Sequence, residues 1–394
     1  MANKQLKILY INLGDNAPYT YDKIVGRVST WANKGHEVTI LIAELSRKLI
    51  EKELTNRGNP EIRIITLPFS NKIANSPSSI IVTYMLRILF SPKILLENNE
   101  TFDLCFSNSA FLVDAVPVFW LKLFGKCKDW ILIMDSVVPR PKDRSGSLII
   151  NAITYIESML IGKLANYLAS SIFTVNPELK SEMVKRGIDQ NKILLSQNGL
   201  FIKDIISTNA LIQNNYDAIY MGRISANKGI EDLIITWKEV VKTIPDAKLA
   251  IMGRGLDKEV TTFKKKSKDL DLENNIIFLD FTPGVKKYQI LKSSKVFLYL
   301  SKVNADESWG ISLMEALACG LPAISYNLPI YKHIYHTNSL VMIPKNETGQ
   351  VAQCIVELLK DEKTRKSLGN KAKRFAKNFD WQKIASNDLN LVSK

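Results

Sequence analysis

The chain has 394 residues, 46% hydrophobic and 23% charged, a globular composition that excludes disordered, fibrous and collagen-like readings. Length alone predicts about two or three domains. Lys and Arg number 53 against 39 acidic residues, a net charge of +14, which points to an anionic partner without saying which anion. Both halves of the chain, split after Leu200, carry a similar surplus, so no basic tail concentrates it.

The opening Met-Ala-Asn-Lys-Gln leads into an apolar stretch too short for a secretion signal. Residues 6–11 (LKILYI) read as a buried strand, followed by a loop with Gly14 and Pro18, a helix over 22–33 ending at Gly35, and a second strand over 36–42. Strand and helix then alternate through 63–67, 79–96, 103–106, 111–124, 130–134, 148–168 and 171–175. The most apolar stretches, 80–90 and 111–124, are interrupted by Arg87 and by Asp114, Pro117 and Lys122. Neither approaches the ~20 residues of a spanning helix, so an integral membrane protein is not expected.

After 192–196, Gln197-Asn198-Gly199 is a turn signal, and a second series begins beyond Asn215. It runs through 218–221, 230–241, 248–252, 258–270, 276–279, 286–293, 296–300, 313–318 and 323–325. Continuous apolar strands alternating with helices imply parallel sheets covered on both faces. The fold class is therefore α/β, with two doubly wound domains facing across a cleft. In such sheets ligands sit beyond the strands' carboxyl ends, which directs attention to the loops after Met221, Met252, Leu279 and Leu300. The C-terminal part reads as helical over 349–359, 362–377 and from Trp381 onward. Within it Lys371, Lys373, Arg374 and Lys377 form a solvated face, as do Lys264, Lys265, Lys266 and Lys268. The four cysteines, Cys105, Cys127, Cys319 and Cys354, lie far apart without a CxxC pair, which fits a reducing cytoplasm and neither structural zinc nor a disulfide framework.

Two constellations carry chemistry. Gly222-Arg223-Ile224-Ser225-Ala226-Asn227-Lys228-Gly229 follows a strand and precedes a helix. Such a loop offers helix-terminal N–H groups, an Arg fork and a Lys point charge to a diphosphate; an ordinary loop with solvated basic residues explains it equally. The second is the stretch 306–322, from Asp306 to Pro322, in which Glu307 and Glu315 are separated by seven residues. Glu315 falls on an apolar helix beginning near Ser312 and Glu307 in the loop before it, so both carboxylates can face one ligand. A carboxylate within an apolar helix needs a partner, which a ribose diol or a salt bridge supplies; Glu307 serves equally as a helix N-terminal charge.

Together these motifs resemble the GT-B glycosyltransferases, and within them the retaining GT4 family. Gly222-Arg223 with Lys228-Gly229 is similar to that family's phosphate clamp, and Glu307 to Glu315 to its E-x7-E motif. Gln197-Asn198-Gly199, Gly35-His36-Glu37-Val38 and Phe379-Asp380-Trp381 are also similar to family features, so the resemblance covers nearly the whole chain. It implies a GT-B fold with an acceptor-binding Rossmann-like domain over 1–200, onto which a closing helix over 380–394 packs back. A nucleotide-sugar-binding Rossmann-like domain then spans 201–379.

Carried over residue by residue, the resemblance implies that Arg223 and Lys228 bind and stabilise the leaving diphosphate. Glu315 would hold the ribose hydroxyls, Glu307 the donor sugar, and the backbone of Trp309, Gly310, Ile311 and Ser312 would lie beside sugar and phosphate. Gly222 would belong to the same donor site. Catalysis would rest on Glu307, Arg223 and Lys228, with configuration retained, the departing phosphate taking the acceptor's proton, and neither metal nor other cofactor required. The chain departs from the family in its first loop, 12–19, where Gly14 alone stands for paired glycines. It also departs after the fourth and fifth strands, where Asn108 and Asp135 occupy regions in which a histidine is frequent. Both become candidate acceptor or sugar contacts, Asp135 equally a helix cap.

The expected partners are a nucleotide-sugar donor, a glycan or lipid-linked acceptor and an anionic membrane surface approached from the cytoplasmic side. Buried helices over a sheet explain the same apolar residues without a membrane. Nucleic acid is not expected, since no basic stripe interleaved with aromatics occurs. The contrasting reading is a non-catalytic GT-B subunit that binds a glycan or stabilises an active partner. A dinucleotide-binding reading of Gly253-Arg254-Gly255 fails for want of the third glycine.

Overall fold

Runs of β-branched and leucine residues with no polar face become strands buried on both sides. In the computed structural model, which describes residues 4–14, 17–67, 69, 77–97, 99–143, 147–211, 216–303 and 307–392, these strands belong to two units. One comprises Met1–Leu200 with Trp381–Lys394, the other Phe201–Asp380.

The first unit contains β1 (Lys7–Asn12), β2 (Glu37–Ala43), β3 (Arg63–Leu67), β4 (Phe102–Ser107), β5 (Cys127–Ile133), β6 (Ser171–Thr174) and β7 (Ile193–Leu195). They form one sheet in the order β3-β2-β1-β4-β5-β6-β7, and the pairings around β1 are parallel, with Tyr10 level with Ile40 on one side and Phe106 on the other. The second unit contains β8 (Tyr216–Met221), β9 (Leu249–Met252), β10 (Ile276–Leu279), β11 (Ser294–Tyr299), β12 (Ala323–Tyr326) and β13 (Leu340–Ile343), ordered β10-β9-β8-β11-β12-β13. Both are doubly wound, with the direction of winding reversing beside the first strand of each unit, between β1 and β4 and between β8 and β11. A ligand crevice opens where the loops diverge at such a point.

Helix Trp381–Val392 packs on helix Ala17–Asn33. The Trp381 indole fills the space beside Gly26, where an added Cβ would lie 2.3 Å from the ring. Arg27, fully buried, donates from Nε to Asp388 at 2.9 Å, and the Ser196 hydroxyl donates to the other Asp388 oxygen at 2.5 Å. Trp31 Nε1 donates to the Ala385 carbonyl at 2.8 Å. His36 accepts the Leu6 N–H at 3.2 Å through Nδ1, a strand-edge role.

Several elements differ from the sequence expectation. Helix Glu44–Asn56 was not anticipated because its buried face is only Ser46, Ile50 and Leu54. The short helices Pro177–Lys185, Ile202–Ser207 and Pro329–Ile334 and strand β13 also went unread. Unlike residues 80–90 and 111–124, on which the sequence expectation rested, helix Leu148–Leu168, passed over there, is at 21 residues long and apolar enough to cross a membrane by length and composition alone. Its only charges are Glu157 and Lys163. In the fold it links β5 to β6, with Asn151, Glu157, Ser158, Ile161 and Ala165 buried.

Candidate active site

In the second unit the chain turns sharply after β8. The turn Ala226–Lys228 ends at Gly229, which adopts φ 71° and whose added Cβ would lie 2.0 Å from the Leu300 carbonyl oxygen. Only glycine fits there, so the loop after β8 and the end of β11 are pressed together. Lys302 N–H donates to the Asn227 carbonyl at 2.9 Å, and its ammonium lies 2.6 Å from Asp232 in the first turn of helix Ile230–Thr243. Tyr326 OH donates to the same carboxylate at 2.5 Å.

This close approach brings two candidates against each other. Lys228 Nζ lies 2.5 Å from Glu307 Oε1, and Tyr299 OH donates to Oε2 at 3.1 Å. Both charged groups are buried, at 7% and 4% exposure. Burial and the Glu307 charge push the Tyr299 and Tyr331 hydroxyls well above the usual phenol range, so both stay protonated. Glu307 therefore lies outside the first turn of helix Ile311–Cys319 and is held by a cation and a phenol rather than acting as its N-terminal charge.

That helix begins after Gly310, and its first turn carries no acidic residue. Tyr335 OH donates to the Trp309 carbonyl at 2.8 Å and the Gly310 carbonyl at 3.0 Å, fixing the backbone of the bend. The N–H groups of the first turn have no partner within the helix and project from its positive end. Glu315, one turn further on, is 3% exposed, lies 2.5 Å from Lys287 Nζ and accepts from Tyr288 OH at 3.1 Å. Gly222 and Arg223 follow β8 directly; the Arg223 side chain is exposed and its carbonyl accepts from Tyr220 OH at 2.7 Å. Ile311 and Ser312 are half-buried in the first turn. Asp306 lies outside the described residues.

In the first unit Asn12 ends β1 and Asn108 follows β4, on the two sides of the winding reversal. Tyr10 OH donates to Asn108 Oδ1 at 2.5 Å and Asn108 Nδ2 to Asn12 Oδ1 at 3.3 Å, so Asn108 is locked. Asp135 caps no helix: it forms an ion pair with Lys23, and its Oδ1 has no hydrogen-bond partner among the described residues. The capping alternative for Asp135 is thus replaced by a half-buried pair. Gly14 is half-buried, while Asp15 and Asn16 beside it lie outside the described residues.

The residues missed by sequence reasoning are those that hold the candidates: Lys23, Lys287, Tyr288, Tyr299, Lys302 and Tyr335. Lys287 and Tyr288 are separated from Glu315 by more than twenty positions, and no spacing rule connects them. Tyr299 ends a strand read only for its apolarity. The signal available was weak, a Lys-Tyr pair within the 286–293 segment.

Residues 202–375 match the family described as glycosyl transferases group 1. Over 171 residues the chain is 30% identical to the poly(glycerol-phosphate) alpha-glucosyltransferase of Bacillus subtilis (strain 168), covering 42% of this chain and 24% of that protein. It is 30% identical over 170 residues to the N-acetyl-alpha-D-glucosaminyl L-malate synthase of Bacillus anthracis, covering 43% and 42%. The chain thus spans less than half the length of these two relatives. Anabaena Alr3699/HepE, solved in complex with UDP and glucose, superposes with a TM-score of 0.72 at 16% identity, covering 99% of this chain and 100% of that one. The likeness establishes the two-unit α/β fold of the GT-B class.

Proposed function

We propose, from the match of residues 202–375 to glycosyl transferases group 1, that the whole chain is a retaining glycosyltransferase of the GT4 type, moving a sugar from a nucleotide-activated donor to an acceptor. The observation that carries the reading is the buried Lys228–Glu307 pair beside a helix N-terminus free of acidic residues. Desolvating a buried ion pair can cost more than the pair returns in stability, so its presence suits a site kept for a ligand.

In this reading Arg223 and Lys228 bind the donor diphosphate, with Gly222 and the N–H groups of Trp309, Gly310, Ile311 and Ser312 alongside. As the glycosidic C–O bond breaks, negative charge gathers on the departing phosphate oxygen. The two cations and the helix terminus stabilise it there. Glu307, oriented by Lys228 and Tyr299, contacts the donor sugar. Glu315 holds the ribose hydroxyls, with Lys287 and Tyr288 as its positioning residues. The phosphate oxygen takes the acceptor's proton as the new bond forms on the same face, so neither a dedicated base nor a metal is assigned. The first unit takes a glycan or lipid-linked acceptor, with Asn108 and Asp135 as hydroxyl contacts and Gly14 as a candidate donor contact. Similarity to the capsular polysaccharide biosynthesis glycosyltransferase CapM of Staphylococcus aureus supports the acceptor class. The corresponding location is the inner face of a membrane.

The test is hydrolysis and transfer measured over a panel of nucleotide sugars. Lys228→Ala and Glu307→Gln are expected to lower turnover by about 10²–10³. A wild-type chain that binds no nucleotide overturns the reading, and an inverted product by NMR removes retention. Tight donor binding without turnover would instead favour the non-catalytic subunit.

A further inference from the structure

Three neighbouring helices of the first unit expose large apolar side chains, and two of them bury polar ones in exchange. Helix Leu148–Leu168 buries Asn151, Glu157 and Ser158 and exposes Ile149, Ile153, Ile156, Leu160, Lys163 and Tyr167, a stripe at alternating intervals of four and three. Ile149 is 73% exposed, Ile153 and Leu160 59% each, and Tyr167 80%. Helix Pro77–Glu97 repeats the exchange. Thr83, Arg87 and Ser91 are buried, Arg87 donating to the Leu13 carbonyl at 2.9 Å, while Ile81, Met85 and Leu89 are exposed. Helix Leu112–Leu123 packs against both and adds Trp120, Leu123 and, just past its end, Phe124.

One buried polar group, Glu157, joins these helices. Glu157 accepts the Leu112 N–H at 2.7 Å and the Tyr84 hydroxyl, tying all three together. With polar side chains committed inward, apolar ones are left outward over a continuous layer, far beyond scattered surface leucines. Most of the exposed large apolar side chains among the described residues lie here.

We infer that this three-helix face docks on an anionic lipid bilayer. The charge pattern selects that occupant. Lys163 sits exposed within the apolar stripe, and on the adjacent helix exposed Lys93 lies 3.7 Å from Glu97. Asp114 and Glu157 are buried, leaving Glu97 as the exposed acid of these helices among the described residues. A second copy of this face would set lysines against lysines, with Glu97, already paired with Lys93, as the exposed carboxylate to receive them among the described residues of these helices. Lipid phosphates receive them directly, while the lysine stems lie along the acyl boundary and Tyr167 takes the interfacial position. The inference concerns a surface apart from the donor site, so vesicle binding and donor hydrolysis are read separately.

The full chain is tested by flotation with phosphatidylcholine vesicles, with and without phosphatidylglycerol. Wild type is expected to float with the anionic vesicles at low salt and to be released by high salt. The double variant Ile153→Gln/Leu160→Gln loses about tenfold or more in partitioning, and Lys163→Glu also weakens it. The double variant's thermal melting and its nucleotide-sugar hydrolysis in solution stay as in wild type, since both side chains point outward. Wild type left unbound at low salt, or variants that float equally well, overturns the inference. So does a wild-type dimer that the double variant dissociates, which would assign the face to a second copy.

Discussion

Asp114 illustrates how a single buried group can set a pH dependence. It lies in the first turn of helix Leu112–Leu123, accepting the Leu13 N–H at 2.7 Å and the Ser109 hydroxyl at 2.5 Å. Burial outweighs these donors and pushes its carboxyl up to about 6. A carboxyl raised in the folded state holds a proton that the unfolded chain has already released. The stability it contributes is therefore present below about pH 4 and is lost as pH rises through about 6, an effect of about 3 kcal/mol. Urea unfolding of wild type and Asp114→Asn between about pH 4 and about pH 7 checks this. The variant should lose that part of the slope, and identical slopes would refute the assignment. At this same scale the sequence was informative about identity and silent about pairing. Lys228 and Glu307 were each picked out as donor ligands, yet their mutual contact depends on Gly229 letting the loop close on Leu300, a fact of tertiary geometry.

Among the elements, the closing helix Trp381–Val392 has the clearest energetic role. Arg27 and Asp388 are at most 1% exposed at their side chains and hold each other within a network shared with Ser196. Asp388→Ala would leave a guanidinium buried against apolar neighbours and should cost about 3–5 kcal/mol, while Asp388→Asn, which keeps an acceptor, should cost less. Denaturant midpoints of the two variants check the order; equal losses would show that packing, not charge, is being lost. Elements with long apolar runs, such as β1, β2 and β4, were legible because burial on both faces leaves a composition signal. Helix Glu44–Asn56 was not, since three buried positions in thirteen residues barely rise above a polar background. The helices 77–97 and 148–168 were legible as helices but not in their orientation. Periodicity locates an apolar stripe and does not say whether it faces inward, and here Thr83, Arg87, Asn151 and Glu157 took the inner positions.

On the scale of the whole molecule, the two units share a strand order but not a surface character. The first concentrates exposed isoleucine and leucine on one helical layer, whereas the second shows isolated cases such as Ile206, Ile235, Leu256 and Val285. The matched family region, 202–375, falls within the second unit. The Trp381 N–H donates to the Leu200 carbonyl at 3.1 Å, so the chain leaves the first unit and rejoins it at a single spot. The second unit is, in effect, an insertion cassette whose removal leaves a gap that a few residues can close. A polypeptide running 1–200, a short glycine-rich bridge, then 381–394 should fold cooperatively by circular dichroism and float with anionic vesicles while failing to bind nucleotide. An unfolded product would mean that the first sheet needs its guest. If it does fold, Leu200 and Trp381 mark the splice points at which the first unit can be refitted with a different guest domain.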